Sequence, residues 1–289
     1  MPFLTNNQYS VYYIQKRPPL QDGSLIAFNM NSFSMIEVQE VHMYDEHFAK
    51  SGQVGLVMAL LHKATNQVLV VGTTHLAFNP YRGDWKLHQS AHLLATIDDV
   101  VRRQSHQCSV IVCGDLNSTP DSHLLKYFVD KNGVDFSSIK AMNVSGQTEP
   151  PEQRYKLRHG AFGEQRIEHN NLLEAGFNLD STFGIRYVDY PEESRPNTVG
   201  RFYNTLELKS AYKNGESTSY MSDGSFCVDY ILHNPRLAVD DTQESVFEQL
   251  PILILKYRKQ RKTLKSRSLY LHANAFQTST SARTISRSV

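Results

Sequence analysis

Ser109-Val110-Ile111-Val112-Cys113-Gly114-Asp115-Leu116-Asn117-Ser118 opens as an apolar, β-branched run, breaks at a glycine, and continues into carboxylate, amide and hydroxyl side chains. A run of this kind reads as a buried strand. Polar groups just past its carboxyl end stand where layered α/β folds place ligands and reacting residues. Upstream, Val68-Leu69-Val70-Val71-Gly72-Thr73-Thr74 repeats the layout and ends in His75. Between the two runs, Asp84 begins a segment in which Leu87, Ala91, Leu94, Ile97 and Val101 recur at helical steps, whereas Lys86, Gln89, Asp99 and Arg103 fall elsewhere. That spacing predicts an amphipathic helix ending near Arg102-Arg103, whose cations suit the negative end of the helix dipole.

Working outward, residues 11–14, 24–28 and 33–38 read as strands separated by the turn signals Pro18-Pro19 and Asp22-Gly23. The apolar runs 54–61 and 68–74 predict adjacent buried strands joined through 63–66. A second helix is predicted over 120–129, with Thr119 as N-cap and Pro120 as first helical residue. Residues 133–200 are mixed and polar and support no assignment, and strand patterns resume at 205–212 and 226–232. Strands, helix, strand, helix and strands in this order predict a mixed α/β layered domain.

The chain has 289 residues, 40% of them hydrophobic and 20% charged, a composition that excludes disordered and collagen-like classes. Its formal charge of +1 hides a split, because nine basic residues and no acidic one follow from Lys256 onward, leaving the rest at −8. The longest apolar runs fall far short of the ~20 residues of a membrane-spanning helix, and Met1 to Arg17 lacks the pattern of a secretory signal, so the protein reads as soluble. Cys108, Cys113 and Cys227 are too few and too irregular for a disulfide framework or zinc site, and read as buried reduced thiols of a cytosolic protein.

Asp115 and Asn117, two apart, can point to the same side of an extended segment. A carboxylate that takes a proton from water beside an amide that orients the incoming oxygen suits phosphate-ester hydrolysis. A strand-exit turn explains Gly, Asp, Asn and Ser equally well. A single His at a strand end, as His75 is, is more often a hydrogen-bonded structural residue than a catalyst. Asp229 falls within the apolar Phe226-Cys227-Val228-Asp229-Tyr230-Ile231-Leu232. Burying its carboxylate unpaired costs several kcal/mol, so it is expected to have a partner, such as a histidine it orients, or a raised pKa.

Three segments together carry a resemblance. They are His75-Leu76-Ala77-Phe78-Asn79-Pro80-Tyr81-Arg82-Gly83-Asp84-Trp85-Lys86-Leu87-His88-Gln89, with its D-x-K-L-x-Q helix start, then Cys113-Gly114-Asp115-Leu116-Asn117-Ser118-Thr119-Pro120, then Val228-Asp229-Tyr230-Ile231. They resemble the deoxyribonuclease-I-like endonuclease/exonuclease/phosphatase superfamily, and within it the deadenylase branch. Asn79-Pro80-x-Arg82-Gly83-Asp84, Val144-Ser145-Gly146-Gln147 and Leu208-x-Ser210-Ala211-Tyr212 are similar to Angel-type members of that branch. The resemblance implies a four-layered α/β/β/α sandwich and Mg²⁺-dependent hydrolysis of phosphoesters at RNA 3′ ends, either trimming of poly(A) or opening of 2′,3′-cyclic phosphates. By resemblance His75 contacts the scissile phosphate, Asp115 activates water, Asn117 positions it, Asp229 supports a terminal histidine, and Asn79 and Arg82 bind substrate.

Two parts of the family pattern have no match. The Glu that serves as principal metal ligand is expected upstream of Asp22-Gly23-Ser24-Leu25, so Glu40 in Val38-Gln39-Glu40-Val41 reads as a decoy, a solvent-facing carboxylate at a strand end. The Ser-Asp-His stretch is expected after Leu255, where a basic Ser/Thr-rich sequence stands instead. These departures predict a partial domain over 1–255, incomplete at both ends, a disordered tail over 256–289, and weakened Mg²⁺ affinity. RNA is the expected partner, together with translation or mRNA-decay factors and no membrane, in the cytoplasm and, through the basic run 256–267, the nucleus. The competing expectation is a catalytically inactive chain that binds RNA or protein; a phosphoinositide or sphingomyelin head group is a distant third.

Overall fold

The computed structural model describes residues 4, 7–43, 52–104, 107–136, 139–147, 201–202, 204–211, 218–221, 224–234 and 252–258. Its centre is a six-stranded sheet. Strand β3 (Phe33–His42) pairs antiparallel with β4 (Val54–His62), and β4 with β5 (Gln67–His75) through a hairpin. After α1 (Gly83–Arg103), β6 (Cys108–Asp115) returns parallel to β5, the crossover that a helix permits. Beyond β6 lie two short antiparallel strands, β12 (Asp229–His233) and β9 (Lys209–Ser210), giving the order β3-β4-β5-β6-β12-β9.

A smaller sheet covers one face. In it β2 (Asp22–Asn29) lies between β1 (Tyr9–Gln15) and β13 (Ile252–Arg258), antiparallel to both. Short pairs β7 (Val134–Asp135) with β8 (Arg201–Phe202) and β10 (Ser219–Met221) with β11 (Gly224–Phe226) stand apart from both sheets.

The central strands read as continuous apolar runs because both of their faces are covered. Along β4, Leu56, Met58 and Leu60 turn toward the small sheet and meet Ile26 and Phe28. The alternate residues Val57 and Ala59 turn toward α1 and meet Leu87, Ala91 and Ile97. Strand β6 divides likewise, with Ile111 and Cys113 on one side and Val110 and Val112 on the other. Each fully buried aliphatic side chain contributes about 1.5–3 kcal/mol relative to exposure, which makes this two-sided core the main driving force for the layers. Leu4 packs against Leu25 and Ala27 on the outer face of the small sheet, where the resemblance calls for the fourth layer.

The α/β class and the strands on either side of α1 are as expected, and several details differ. The second helix, α2 (His123–Val129), begins three residues later than predicted. Its N-cap is Ser122, whose hydroxyl accepts from Leu125 N–H, while Thr119 turns its own hydroxyl onto Asp121. Two caps competed, and the side-chain bond within Thr119-Pro120-Asp121 made that segment a turn. The strand pattern at 205–212 yields only Lys209–Ser210, with Tyr212 outside the described residues. That at 226–232 breaks, so Asp229 opens β12 instead of standing mid-strand. Lys86 and Gln89, expected on the wet side of α1, are completely buried. The strand Ile252–Arg258 crosses the boundary expected after residue 255, with Lys256, Tyr257 and Arg258 paired to Ser24, Gly23 and Asp22.

Cys108 and Cys113 are buried free thiols, and burial pushes Cys113 up to about 12, which leaves it a poor nucleophile; Cys227 is only half-buried. Among the described residues no helix is long and apolar enough to cross a membrane.

Candidate active site

Strand register assembles the candidate residues. Parallel pairing sets His75 of β5 beside Asp115 of β6, and antiparallel pairing sets Asp229 of β12 on the other side of Asp115. Three residues from distant parts of the sequence thus form one row at the carboxyl end of β5 and β6. The row requires close backbone approach behind it. Gly114 has φ +148°, and a Cβ there would lie 2.0 Å from the Thr74 carbonyl oxygen on the neighbouring strand. Only glycine fits.

Past the row the chain turns at Asn117, which adopts the left-handed conformation with φ +47° and is buried. Its backbone N–H donates to Asp115 Oδ1 at 3.0 Å, and its Nδ2 donates to the Leu76 carbonyl at 3.0 Å, tying the two strand-exit loops together. Leu116 N–H donates to the Val228 carbonyl at 2.8 Å, joining the loop to the start of β12. Asn117 therefore orients Asp115 directly. Asp229 is half-buried, with its backbone N–H donating to Thr218 Oγ1 at 3.0 Å.

His75 stands between two carboxylates. Nε2 lies 3.6 Å from Asp115 Oδ2, and Nδ1 lies 3.6 Å from Asp22 Oδ2 and 3.1 Å from Lys16 Nζ. Nδ1 thus faces the Lys16–Asp22 pair, while Nε2 faces Asp115. Lys16, almost fully buried, also donates to Asp22 Oδ2 at 2.7 Å. Burial alone raises the Asp22 carboxyl, but His75 and Lys16 outweigh it and hold it well below the usual carboxylate range.

The depressed Asp22 has a testable sign. Its folded value lies below the unfolded one near about 4, so its stabilisation is present above that pH and is lost as the pH falls through the acid range. Wild-type urea midpoints are expected to drop more steeply than those of Asp22→Asn below about pH 4. Parallel curves for the two proteins refute the linkage.

Lys16, Asp22 and Lys86 were missed by sequence reasoning. Lys16 and Asp22 flank a Pro18-Pro19 turn and look like ordinary surface charges. For Lys86 the signal was present in the D-x-K-L-x-Q pattern, whose Lys and Gln both reach the site. Lys86 Nζ donates to the Asn117 carbonyl and to Gln147 Oε1, each at 2.6 Å, and Gln89 Oε1 accepts from Ala77 N–H at 2.9 Å. Burial pushes the Lys86 ammonium down to about 7, and the Asp115 charge acts in the opposite direction.

Asn79 and Arg82, expected to bind substrate, stand in the loop before α1 with local partners. Asn79 Oδ1 accepts from Tyr81 N–H at 3.0 Å, and Arg82 grips Asp84 through two bonds of 2.8 and 2.5 Å while lying 3.8 Å above the Trp85 ring. Glu40 lies on β3 with its side chain 59% exposed, 3.5 Å from His42, and so faces solvent as expected, although within the strand and not at its end.

Mg²⁺ calls for several oxygen ligands in near-octahedral array. Among the described residues no group of three or more His, Cys, Asp or Glu side chains gathers in a way that could hold a metal ion. Asp22 already binds an ammonium, and Asp115 accepts from Asn117 while facing an imidazole. The described residues do not by themselves supply that donor set.

The profile of the Endonuclease/Exonuclease/phosphatase family matches residues 28–249. Protein angel homolog 2 of Bos taurus is 36% identical over 152 residues, covering 50% of this chain and 28% of that protein. Protein angel homolog 2 of Danio rerio is 33% identical over 261 residues, covering 82% of this chain and 43% of that protein. The chain spans less than half the length of either relative. Among solved structures, ANGEL2, a 2′,3′-cyclic phosphatase, in complex with adenosine-2′,3′-vanadate, matches with a TM-score of 0.62 at 26% identity, covering 81% of this chain and 65% of that one.

Proposed function

The chain belongs to the endonuclease/exonuclease/phosphatase family, and on that premise we propose that it is a phosphohydrolase acting at RNA 3′ ends, with a terminal 2′,3′-cyclic phosphate as preferred substrate. The observation that carries this reading is the His75–Asp115–Asp229 row, in which a carboxylate and an imidazole nitrogen face each other across 3.6 Å at the end of two parallel strands. Asp115 takes the proton from a water attacking phosphorus, and His75 donates Nε2–H to a phosphate oxygen as negative charge develops there. One P–O bond forms, the bond to a ribose oxygen breaks, and that oxygen leaves as a hydroxyl by taking a proton from solvent. Similarity to ANGEL2, solved with a 2′,3′-vanadate of adenosine, favours the cyclic phosphate over a poly(A) phosphodiester.

The test incubates the purified chain, in buffer containing Mg²⁺, with oligo(A) ending either in a 2′,3′-cyclic phosphate or in a 3′-hydroxyl. Opening of the cyclic end without shortening is expected. Shortening of the hydroxyl-ended RNA moves the reading to a poly(A) exoribonuclease. Turnover of neither overturns it for this chain.

A further inference from the structure

We propose that Lys86 is a positioning residue for the Asp115–Asn117 loop, its buried ammonium fixing the backbone from which the loop presents its side chains. The role in catalysis rests on the function proposed above; the positioning itself does not. Lys86 is 0% exposed on α1, yet its Nζ reaches the site through two short bonds, to the Asn117 carbonyl and to Gln147 Oε1. A buried lysine is held in place by its acceptors, because an unpaired ammonium in the core costs far more than the packing it supplies. The acceptor on the loop belongs to Asn117, whose positive φ turns the chain away from the strand. The Lys86–Asn117 bond anchors the carbonyl at that turn.

The same helix surface holds the other loop, since Gln89 accepts from Ala77 just past His75. Lys86 and Gln89 stand one turn apart, so α1 grips both strand-exit loops with adjacent polar side chains and sets the spacing between His75 and Asp115. Gln147 carries the second contact and brings the 144–147 segment onto the ammonium, where Ser145 also receives Thr119 N–H on its carbonyl at 2.9 Å. The buried Lys86–Asn117 hydrogen bond restricts that geometry.

The test compares hydrogen–deuterium exchange in the full chain, its Lys86→Met variant and its Gln147→Leu variant. The reporter is the peptide 114–119, whose amides at Leu116, Asn117 and Thr119 donate to Val228, Asp115 and Ser145. Exchange there is expected to rise about tenfold or more in Lys86→Met and by a smaller factor in Gln147→Leu, with β4 unchanged. If Lys86→Met does not fold, Gln147→Leu decides alone, because its side chain is half-exposed and its removal leaves the core packed. Unchanged exchange at 114–119, or an equal rise in β4, overturns the proposal. Where the wild type opens the cyclic phosphate, Lys86→Met is expected to lower kcat with KM little moved. Absence of wild-type turnover refutes the proposed function and leaves the exchange result standing.

Discussion

Asp115→Asn is expected to lower the rate of phosphoester hydrolysis about a thousandfold while leaving the protein folded, because a general base contributes roughly 10²–10⁴ in rate and an amide cannot replace it. The structure explains why the fold survives. Asp115 Oδ1 accepts the Asn117 N–H, and the amide oxygen of asparagine can accept the same bond. What disappears is the carboxylate facing His75 Nε2 at 3.6 Å. Initial rates on RNA ending in a 2′,3′-cyclic phosphate, with a thermal melt of each protein, separate the two effects. A variant retaining more than about a tenth of wild-type turnover removes Asp115 from the role of base.

Gly114→Ala is expected to be strongly destabilising. The added carbon meets the Thr74 carbonyl oxygen at 2.0 Å, and the backbone φ of +148° is one that side-chain-bearing residues rarely adopt. Relief requires β5 and β6 to part at the point where Thr74 pairs with Gly114 and His75 with Asp115. A loss of about 4 kcal/mol or more is expected, read from the urea midpoint and slope. A midpoint equal to that of wild type refutes the close approach. Because the clash lies one residue before Asp115, a folded remnant is also expected to lose activity.

The placement of His75 and Asp115 at strand ends was legible in the sequence, because each apolar run stops where polar side chains begin. Their adjacency was not. It depends on β5 and β6 being parallel neighbours in one register, a pairing that follows from the crossover through α1 and not from either segment alone. The apolar stripe of α1 was read correctly, but its polar residues were placed by the rule that a helix has one dry face and one wet one. At its start α1 is covered on the second side as well, by the two strand-exit loops and the 144–147 segment, so Lys86 and Gln89 became buried ligands of backbone groups. Asp229 was expected mid-strand from its apolar neighbours; the bonds of Val228 to Leu116 and of Asp229 to Thr218 begin the strand at Asp229 instead. Asn79 and Arg82 show what local structure the matched motif builds. Both occupy the matching positions, and both have local partners that position the loop before α1.

Strand β2 lies between the first strand of the described chain and the last, β13. Its partner on one side leaves the ribosome just before it, and its partner on the other only after the whole central sheet has been synthesised. Until then Leu25, Ala27 and their neighbours present an open edge to every other nascent chain nearby, so the interval between β2 and β13 is a time during translation in which the protein needs shielding. Synonymous codon changes that slow elongation between residues 29 and 252 are therefore expected to reduce soluble yield without altering a single amino acid.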